Sequence, residues 1–358
     1  MASLFSRNRQ VVGLDIGSSH VKLLQLENDR STNQWRLISF GMTELPPEAI
    51  VDGSVMNTNV IVDAINELIA QHRVKTKQVI ASVSGNAVII KRINLPMMTL
   101  DELEESIQWE AEQYIPFDIN DVNIDVQILE GASDDPGQME VLLVAARKDL
   151  VNEYMTLIQQ AGLKPMVMDV DSFAVANMFE MNYGSVEGAV SLINIGASNV
   201  NIHVLRDGVS AFTRDIGMGG RQFTEEIQRT LNISYEEAEA MKVGGDDSDA
   251  TSMVPQEIEQ VLSSVGENLA AEIQRSLDFY LSTTAGGGLS QVFLSGGAAR
   301  TPGLARAISQ QTGLPVEIVD PFRAIEIDQR TFNPGYLRDI APQAAVAVGL
   351  AIRRLGDN

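Results

Sequence analysis

The sequence predicts a two-lobed α/β protein, and three observations lead to this fold class. An apolar run breaks at the corner Asp-Ile-Gly-Ser-Ser of residues 15–19 and resumes as alternating residues, which predicts a strand, a tight turn and a returning strand. The same pattern recurs about 180 residues later, around residues 194–199. A third glycine corner follows an apolar run at residues 295–298. Two related hairpins half a chain apart predict two similar domains that hold one ligand, a nucleotide, from opposite sides.

The first corner has the residue types that bind a phosphate and a metal ion. Gly17 lets the backbone turn with its N–H groups available, and two hydroxyl residues follow it. Asp15 can hold Mg²⁺ through water, and Lys22 on the returning strand can reach a phosphate. An ordinary hairpin fits this corner about equally well, so the second copy is what favours a nucleotide.

Composition sets outer limits on the function. A chain of 358 residues with 44% hydrophobic residues is long enough for two or more cores. Its 48 acidic and 26 basic residues give a formal net charge of -22, and no basic cluster offsets this charge. A nucleic acid would be repelled, so we expect no nucleic-acid partner.

The chain has no cysteine and three histidines, which excludes disulfides and thiolate metal sites and fits a reducing cytoplasm. No segment has the ~18 to 20 apolar residues of a transmembrane helix, so we expect a soluble protein that is not exported. Leu4 and Phe5 beside two arginines can contact an anionic membrane, although a disordered start fits this segment better.

The first lobe begins with three strands and a helix. Residues 35–45 alternate and end at two prolines, which predicts a third strand that leaves into a turn. Asn57 or Thr58 then caps a helix with one apolar face, and residues 78–83 predict a short buried strand.

Residues 87–165 predict a small inserted subdomain with the order β-α-β-β-α-β. Thr99 and Glu102 form a capping box at the start of its first helix. At the end of that helix stand Trp109, Tyr114 and Phe117, which a partner peptide can contact. We expect Tyr114 and Phe117 to pack in the core instead, and the pattern leaves Trp109 open.

The second lobe contains the second hairpin and the third glycine corner. The glycine-rich loop at 217–220 precedes a helix, where an anion and a plain loop are equally compatible. A capping box then starts a short helix with Glu239 and Lys242 on one face. A long amphipathic helix over 258–281 and a strand at 291–294 follow, and a flat ring can lie on the bare backbone of the third corner.

The end of the chain predicts a strand at 316–319, mostly loop over 321–338, and a closing helix at 344–353. Small residues, among them Gly349, give this helix a narrow face suited to close packing near the hinge between the lobes. The expected domain boundaries are 1–86 and 166–190 for the first lobe, 87–165 for the inserted subdomain, 191–340 for the second lobe and 341–358 for the closing helix.

In this order, the segments resemble the five characteristic segments of the actin-like ATPase superfamily, which includes actin, sugar kinases and the cell-division protein FtsA. They are residues 14–22, near 171–178, 192–201, 293–299 and 344–351. Within the superfamily the chain is similar to the PilM family, the actin-like proteins of type IV pilus assembly, and an inserted subdomain in the first lobe agrees. The stretches that carry this similarity are residues 114–117, 168–174, 237–242 and 347–353.

The resemblance implies a fold of two ribonuclease-H-like lobes that bind ATP or ADP with Mg²⁺. It also implies a scaffold, cytoplasmic and peripheral at the inner membrane, that supports twitching motility. Such a scaffold captures the cytoplasmic tail of the membrane protein PilN in a groove between the first lobe and the inserted subdomain, and links it to the pilus motor; a homo-oligomer is possible. The implied nucleotide-binding residues are Asp15, Gly17, Ser18, Ser19, Lys22, Gly196, Ala197, Ser198, Asn199, Gly219, Gly220, Glu239, Lys242, Gly296, Gly297 and Ala298.

Within that set, the resemblance implies that Asp15 organises Mg²⁺ and that Glu239 and Lys242 contact the ribose or adenine. It also implies that Asp171, which is outside the set, orients the attacking water. One position departs from the family pattern, because Asn194 stands where the second phosphate segment usually has an aspartate. An amide is a poor cation ligand and cannot act as a base, so we expect slow or negligible hydrolysis.

Three other functions are compatible with the superfamily. An FtsA-like filament protein is the strongest alternative, although the predicted closing helix lacks the amphipathic character of a membrane helix. A sugar-kinase-type phosphotransferase needs a substrate signature in the first lobe, and we find none. A motor like the heat-shock chaperones needs a substrate-binding domain after the last lobe, which the sequence does not contain.

Overall fold

The structure is a computed structural model that describes residues 11–29, 31–32, 34–51, 53–129, 137–244, 256–284 and 288–353. Leu4 and Phe5, for which the sequence favours a disordered start over a membrane contact, lie outside the described residues. The chain divides into two units. The first contains Met1–Val83, Lys148–Gly184 and Asp320–Asn358, and the second contains Ser84–Arg147 and Ser185–Val319.

The elements alternate between strands and helices along the chain. The strands are β1 (Val12–Ile16), β2 (His20–Asp29), β3 (Gln34–Glu44), β4 (Ile50–Val51), β5 (Ser54–Val55), β6 (Gln78–Val83), β7 (Val88–Pro96), β8 (Val122–Leu129), β9 (Gln138–Arg147), β10 (Lys164–Val170), β11 (Ala189–Ile195), β12 (Val200–Arg206), β13 (Val209–Ile216), β14 (Leu289–Ser295), β15 (Val316–Ile318) and β16 (Ile325–Glu326). The helices are α1 (Thr58–Gln71), α2 (Leu100–Ala111), α3 (Lys148–Gln160), α4 (Asp171–Tyr183), α5 (Gly220–Leu231), α6 (Tyr235–Val243), α7 (Gln256–Thr283), α8 (Leu304–Thr312), α9 (Pro334–Ile340) and α10 (Ala345–Ile352).

The first unit is built on a six-stranded sheet with the order β10-β6-β1-β2-β3-β16. Strands β1, β2 and β3 are antiparallel neighbours, and β6 and β10 run parallel to β1 on its other side. All five residues of β1 are buried, which is typical of a strand with both faces of its sheet covered. The cover comes from two pairs of packed helices, α1 with α3 and α4 with α10.

The second unit repeats this strand order around β11. Its five-stranded sheet has the order β13-β12-β11-β14-β15, again with two antiparallel strands on one side of the central strand and two parallel strands on the other. Helices α5, α7 and α8 pack with this sheet around a core that includes Phe223, Ile273 and Leu294. The repeated hairpin of the sequence is therefore the visible part of a repeated five-strand topology.

A smaller antiparallel sheet, with the order β7-β9-β8, corrects the predicted inserted subdomain. Only its first four elements, β7, α2, β8 and β9, share this sheet and its core, in which Leu103 and Leu143 are fully buried. The helix predicted at the end of this subdomain, α3, packs on β10 and α1 instead. Strand β10, most of which lies in the range 166–190 expected in the first lobe, pairs in parallel with β6. Backbone pairing, which the local pattern does not encode, decides where those two elements lie.

Three short features were not predicted. Helix α9 lies in a stretch expected to be mostly loop, and Asn333 caps it with Pro334 at its first position. Strand β16 pairs with β3, and β4 and β5 form a two-residue hairpin. Each is shorter than the window over which hydrophobic periodicity is read. Among the described residues, no helix is both long and apolar enough to cross a membrane.

Candidate functional site

The first corner joins β1 and β2 as predicted. The Gly17 N–H donates to the His20 carbonyl at 3.0 Å, which closes the turn. Asp15 and Lys22 are opposite each other in the antiparallel register, and Lys22 Nζ donates to Asp15 Oδ2 at 2.9 Å. Their side chains are 9% and 13% exposed, respectively. The corner therefore offers a carboxylate and an ammonium group side by side, next to the hydroxyl residues Ser18 and Ser19.

Asp171 lies in the same unit, at the first position of α4 after β10. Ser82, near the end of the neighbouring strand β6, donates its hydroxyl to Asp171 Oδ1 at 2.5 Å. Burial raises the pKa of the nearby Tyr154 hydroxyl, and the negative charges of Asp171, Glu153 and Asp15 raise it further. The two carboxylates predicted to act on metal and water therefore both influence this buried phenol.

The second corner joins β11 and β12 in the same way, with the Gly196 N–H donating to the Asn199 carbonyl at 2.9 Å. Asn194 and Asn201 take the register positions that Asp15 and Lys22 hold in the first corner. The Oγ atom of Ser198 is buried and has no hydrogen-bond partner among the described residues. A buried hydroxyl without a partner is costly, and a phosphate oxygen would satisfy it.

The glycine-rich loop before α5 packs on the second corner. The N–H groups of Gly220 and Arg221 donate to the carbonyls of Gly196 and Ala197 at 2.9 and 2.8 Å. A Cβ atom on Gly219 would lie 2.6 Å from the Ala197 carbonyl oxygen, so only glycine allows this approach. The structure thus brings together two segments that the sequence suggested separately.

The third corner also adjoins the second. Gly296 has φ of +90°, and a Cβ atom there would lie 2.3 Å from the Ile195 carbonyl oxygen. Gly297 and Ala298 begin a short 3₁₀ turn, and a Cβ atom on Gly220 would lie 2.9 Å from the Ala298 Cβ. Bare backbone from three segments of the second unit therefore lies together. Gly17 belongs to the first unit.

Lys242 lies under this backbone and is only 8% exposed. Its Nζ donates to the Gly220 carbonyl at 3.2 Å, to Thr224 Oγ1 at 2.9 Å and to Glu239 Oε2 at 2.6 Å. These three acceptors match the three N–H donors of an ammonium group, so Lys242 supports the start of α5. Glu239 is about one-third exposed at its side chain. The predicted ribose or adenine contact of these two residues stays a prediction.

Sequence reasoning missed a row of polar side chains beside the second corner. Ser295 Oγ donates to Asn194 Oδ1 at 3.2 Å, Asn194 Nδ2 to Asn201 Oδ1 at 3.2 Å, and Asn201 Nδ2 to Asp215 Oδ1 at 2.8 Å. Asp215 Oδ2 accepts from the Gly85 N–H at 2.7 Å. Burial raises the pKa of Asp215, against the effect of these two hydrogen bonds. In the sequence, the only sign of this row is that Asn201 and Asp215 are polar residues within the stretches that form β12 and β13. The strand register, which the sequence does not show, places them opposite each other.

The aromatic residues of the inserted sheet separate into buried and exposed ones. Tyr114 and Phe117 pack against the core of this sheet, as predicted, and the Arg147 guanidinium lies 5.8 Å from the centre of the Phe117 ring. Trp109 on α2 is 77% exposed, with Met97 and Leu100 also exposed. Trp109 is the most exposed of these apolar side chains, so it is the candidate for contact with a partner peptide.

The metal prediction depends on Asp15. Among the described residues there is no group of three or more histidine, cysteine, aspartate or glutamate side chains placed to hold a metal ion. Mg²⁺ in nucleotide sites commonly keeps several waters and takes one or two carboxylates together with phosphate oxygens. One carboxylate at the first corner is compatible with that form of coordination.

Comparison with known proteins gives the fold and the family. The solved structure named PilM-PilN type IV pilus biogenesis complex is 30% identical to this chain. The two superpose with a TM-score of 0.85 over 97% of this chain and 99% of that one. MreB5 of Spiroplasma citri bound to ADP shares the fold at 12% identity, with a TM-score of 0.53 and coverage of 96% of this chain and 95% of that one. The predicted actin-like ATPase fold is therefore confirmed.

Sequence relatives and the family model agree with this fold. FtsA of Bacillus subtilis is 27% identical over 266 residues, and FtsA of Streptococcus pneumoniae is 20% identical over 350 residues. These alignments cover 66% and 86% of this chain, but only 58% and 75% of those proteins. The model of the type IV pilus assembly protein PilM matches residues 13–355. Since this match spans nearly the whole chain, the protein belongs to the PilM family of type IV pilus assembly proteins.

Proposed function

We propose that this chain is a nucleotide-binding scaffold that binds the cytoplasmic tail of a PilN-type inner-membrane protein and links it to the pilus motor in support of twitching motility. The observation that carries the nucleotide part is the second corner, where the buried Ser198 hydroxyl has no partner among the described residues and the backbone of Gly219 closely approaches that of Ala197. Family membership supports the partner, since a solved relative is named as a complex with PilN. In this proposal the protein is cytoplasmic and reaches the membrane through its partner.

The proposed roles follow the chemistry of each group. Asp15 holds Mg²⁺ through water, and the ion neutralises phosphate charge when bound. Lys22 and the hydroxyls of Ser18 and Ser19 bind phosphate oxygens from the first unit. Ser198 and the backbone of Gly196 and Ala197 do so from the second, while Gly296, Gly297 and Ala298 lie under the adenine. Glycine is needed where the backbone itself must touch the ligand.

We propose that hydrolysis is slow. Asn194 provides no carboxylate at the second corner, and Asp171, which would orient the water, is held by the hydroxyl of Ser82. The carboxylate oxygen that accepts this hydrogen bond is less available to accept one from an attacking water. Rapid, metal-dependent release of phosphate from ATP by the purified protein would contradict this part of the proposal.

Calorimetric titration with ADP and ATP tests nucleotide binding. We expect Lys22→Met to weaken binding by about tenfold, because it removes a charge-assisted contact to phosphate and leaves Asp15 without its ion pair. Lys164→Met is the matched control, since Lys164 is an exposed lysine on β10 of the same unit, and we expect it to bind as the wild type does. No binding by the wild-type chain would refute the nucleotide part.

Titration with a peptide that copies the cytoplasmic tail of the PilN-type protein tests the partner. Exposed aromatic residues often dominate such contacts, at about 2 kcal/mol each, so we expect Trp109→Ala to weaken binding by about thirtyfold. Tyr336→Ala on α9, also an exposed aromatic residue, should have no effect. Failure of the wild-type chain to bind the peptide would refute the tail assignment. Nucleotide-dependent sedimentation of the protein would then favour an FtsA-like polymer.

A further inference from the structure

The polar row beside the second corner has a fixed direction. Ser295, Asn194, Asn201 and Asp215 stand on four neighbouring strands, β14, β11, β12 and β13, at positions opposite one another in the register. Each side chain donates to the next, and the row ends at the carboxylate of Asp215. A carboxylate only accepts hydrogen bonds, so the amide orientations along the row are determined from that end.

Asp215 sets the direction of the whole row. Asp215 Oδ1 accepts from Asn201 Nδ2, while its Oδ2 accepts from the Gly85 N–H, so both oxygens face N–H donors. Asn201 must therefore turn its Oδ1 away from Asp215, where it accepts from Asn194 Nδ2. This leaves Asn194 Oδ1 to accept from Ser295. Neither amide can flip without placing an acceptor against an acceptor, which would leave buried groups unsatisfied.

The two corners consequently differ in what they offer a ligand. In the first, a carboxylate stands directly at the corner, at Asp15. In the second, the carboxylate of Asp215 is two strands away from the strand of Asn194, and the side-chain oxygen of Asn194 already accepts a hydrogen bond from Ser295. The second corner has no carboxylate, and its remaining side-chain hydrogens, the other Nδ2 hydrogen of Asn194 and the hydroxyl hydrogen of Ser198, can donate to a ligand. Donors suit phosphate oxygens and do not suit a cation.

We propose that Asp215 is a positioning residue that makes the second corner a donor site for nucleotide phosphate and keeps it from binding the divalent cation. This inference rests on the proposed function, since it concerns the same nucleotide. It assigns the cation to the first unit alone. Asp215 does not touch the nucleotide and acts through Asn201 and Asn194.

The test is the metal dependence of ADP binding, measured by calorimetry as the ratio of the dissociation constants in EDTA and in Mg²⁺. In Asp215→Asn the row loses its acceptor-only end, so Asn194 is able to turn its oxygen toward the ligand. We expect binding in EDTA to weaken by about tenfold and binding in Mg²⁺ by about twofold, so the ratio rises about fivefold. A purely structural effect would weaken both equally.

Two further variants control this result. Asp207→Asn changes an exposed aspartate in the turn of the same hairpin, where Asp207 Oδ1 accepts from the Gly188 N–H, and it should keep the wild-type ratio. In the exchanged variant Asn201→Asp/Asp215→Asn, the carboxylate moves one strand nearer and still accepts from Asn194 Nδ2. We expect this variant to restore the wild-type ratio, although the single substitution at position 215 changes it.

The outcomes separate the two proposals. Absence of ADP binding by the wild-type chain overturns the proposed function and this inference with it. Normal wild-type binding with an unchanged ratio in Asp215→Asn, or an exchanged variant that does not restore the ratio, overturns the inference alone. Circular dichroism checks folding. If only Asp215→Asn fails to fold while the exchanged variant folds with the wild-type ratio, the carboxylate is required in the row and the inference is supported. Failure of both to fold assigns a structural role and overturns it.

Discussion

At the scale of single residues, the turns made by the corner glycines were predictable from the sequence, whereas the partners of Lys242 were not. The glycines at the three corners were predicted from the sequence, and close backbone approaches explain Gly219 and Gly296 in the structure. Lys242 was predicted to contact the nucleotide, but its three donors are used inside the second unit. A lysine in a sequence has no visible partners, so its burial is decided by the elements that surround it.

An ion pair between the buried Asp169 and the partly exposed Arg353 gives a residue-scale prediction with a defined pH dependence. Arg353 Nε lies 2.9 Å from Asp169 Oδ2, although the angle is not that of a hydrogen bond. Burial raises the pKa of Asp169, and the charge of Arg353 opposes that shift. The charged carboxylate is therefore the costly form in the folded chain. Without the arginine, its pKa would rise further.

We expect Arg353→Met to cost little stability in acid, where Asp169 is neutral in the folded and unfolded chain. As the pH rises through the raised pKa of Asp169 in the folded chain, the variant must keep an unpaired buried carboxylate. Its loss in free energy of unfolding, relative to the wild type, should therefore grow to about 3 kcal/mol at neutral pH. Urea unfolding at several pH values measures this. Arg36→Met breaks the exposed pair with Glu326 and should cost at most about 1 kcal/mol at any of them. A deficit independent of pH would contradict the explanation.

At the scale of elements, the strands and helices with strong patterns were predictable, and pairing was not. Both capping boxes, at Thr99 and at Ser234, begin their helices as expected. Helix α3 was expected to belong to the inserted subdomain, which the predicted boundaries end at residue 165, but it packs on β10 and α1. A pattern of apolar residues says that a strand is buried. It does not say which neighbour buries it.

The closing helix α10 gives a prediction at this scale. A Cβ atom on Gly349 would lie 1.7 Å from the Ala174 carbonyl oxygen of α4, and one on Gly13 of β1 would lie 2.4 Å from the Ala347 carbonyl oxygen of α10. The expected narrow face is therefore a real close contact. We expect Gly349→Ala to lower the stability by about 3 kcal/mol, because backbone must move to admit the methyl group.

Gly266→Ala is the matched control for that substitution. Gly266 lies within α7, and its nearest neighbours would be 3.9 Å from an added Cβ, which is ordinary contact. A helical glycine with room for a methyl group should gain about 0.4 to 1 kcal/mol on replacement by alanine. Thermal unfolding compares the two variants. Equal melting temperatures of the two variants would contradict the predicted clash at Gly349.

At the scale of the whole molecule, repetition and charge are the two properties that matter. The hairpin repeat seen in the sequence extends to a shared order of five strands in the two units. The net charge of -22 predicts repulsion from polyanions. We expect no retention of duplex DNA in a gel-shift assay at low ionic strength, where any attraction would be strongest. Binding that weakens steeply with added salt would reveal a basic surface and contradict this prediction.

The sequence by itself determined the fold class, the family resemblance, the corners at residues 15–19 and 194–199, and the boundaries of most elements. These depend on local signals, such as glycine turns, capping residues and hydrophobic period. Only the tertiary structure decided that α3 packs on β10 and α1, that Lys242 is internally satisfied, and that Asp215 ends a directed row beside Asn194. Those facts depend on strand register and packing between residues far apart in the chain, which local patterns do not encode.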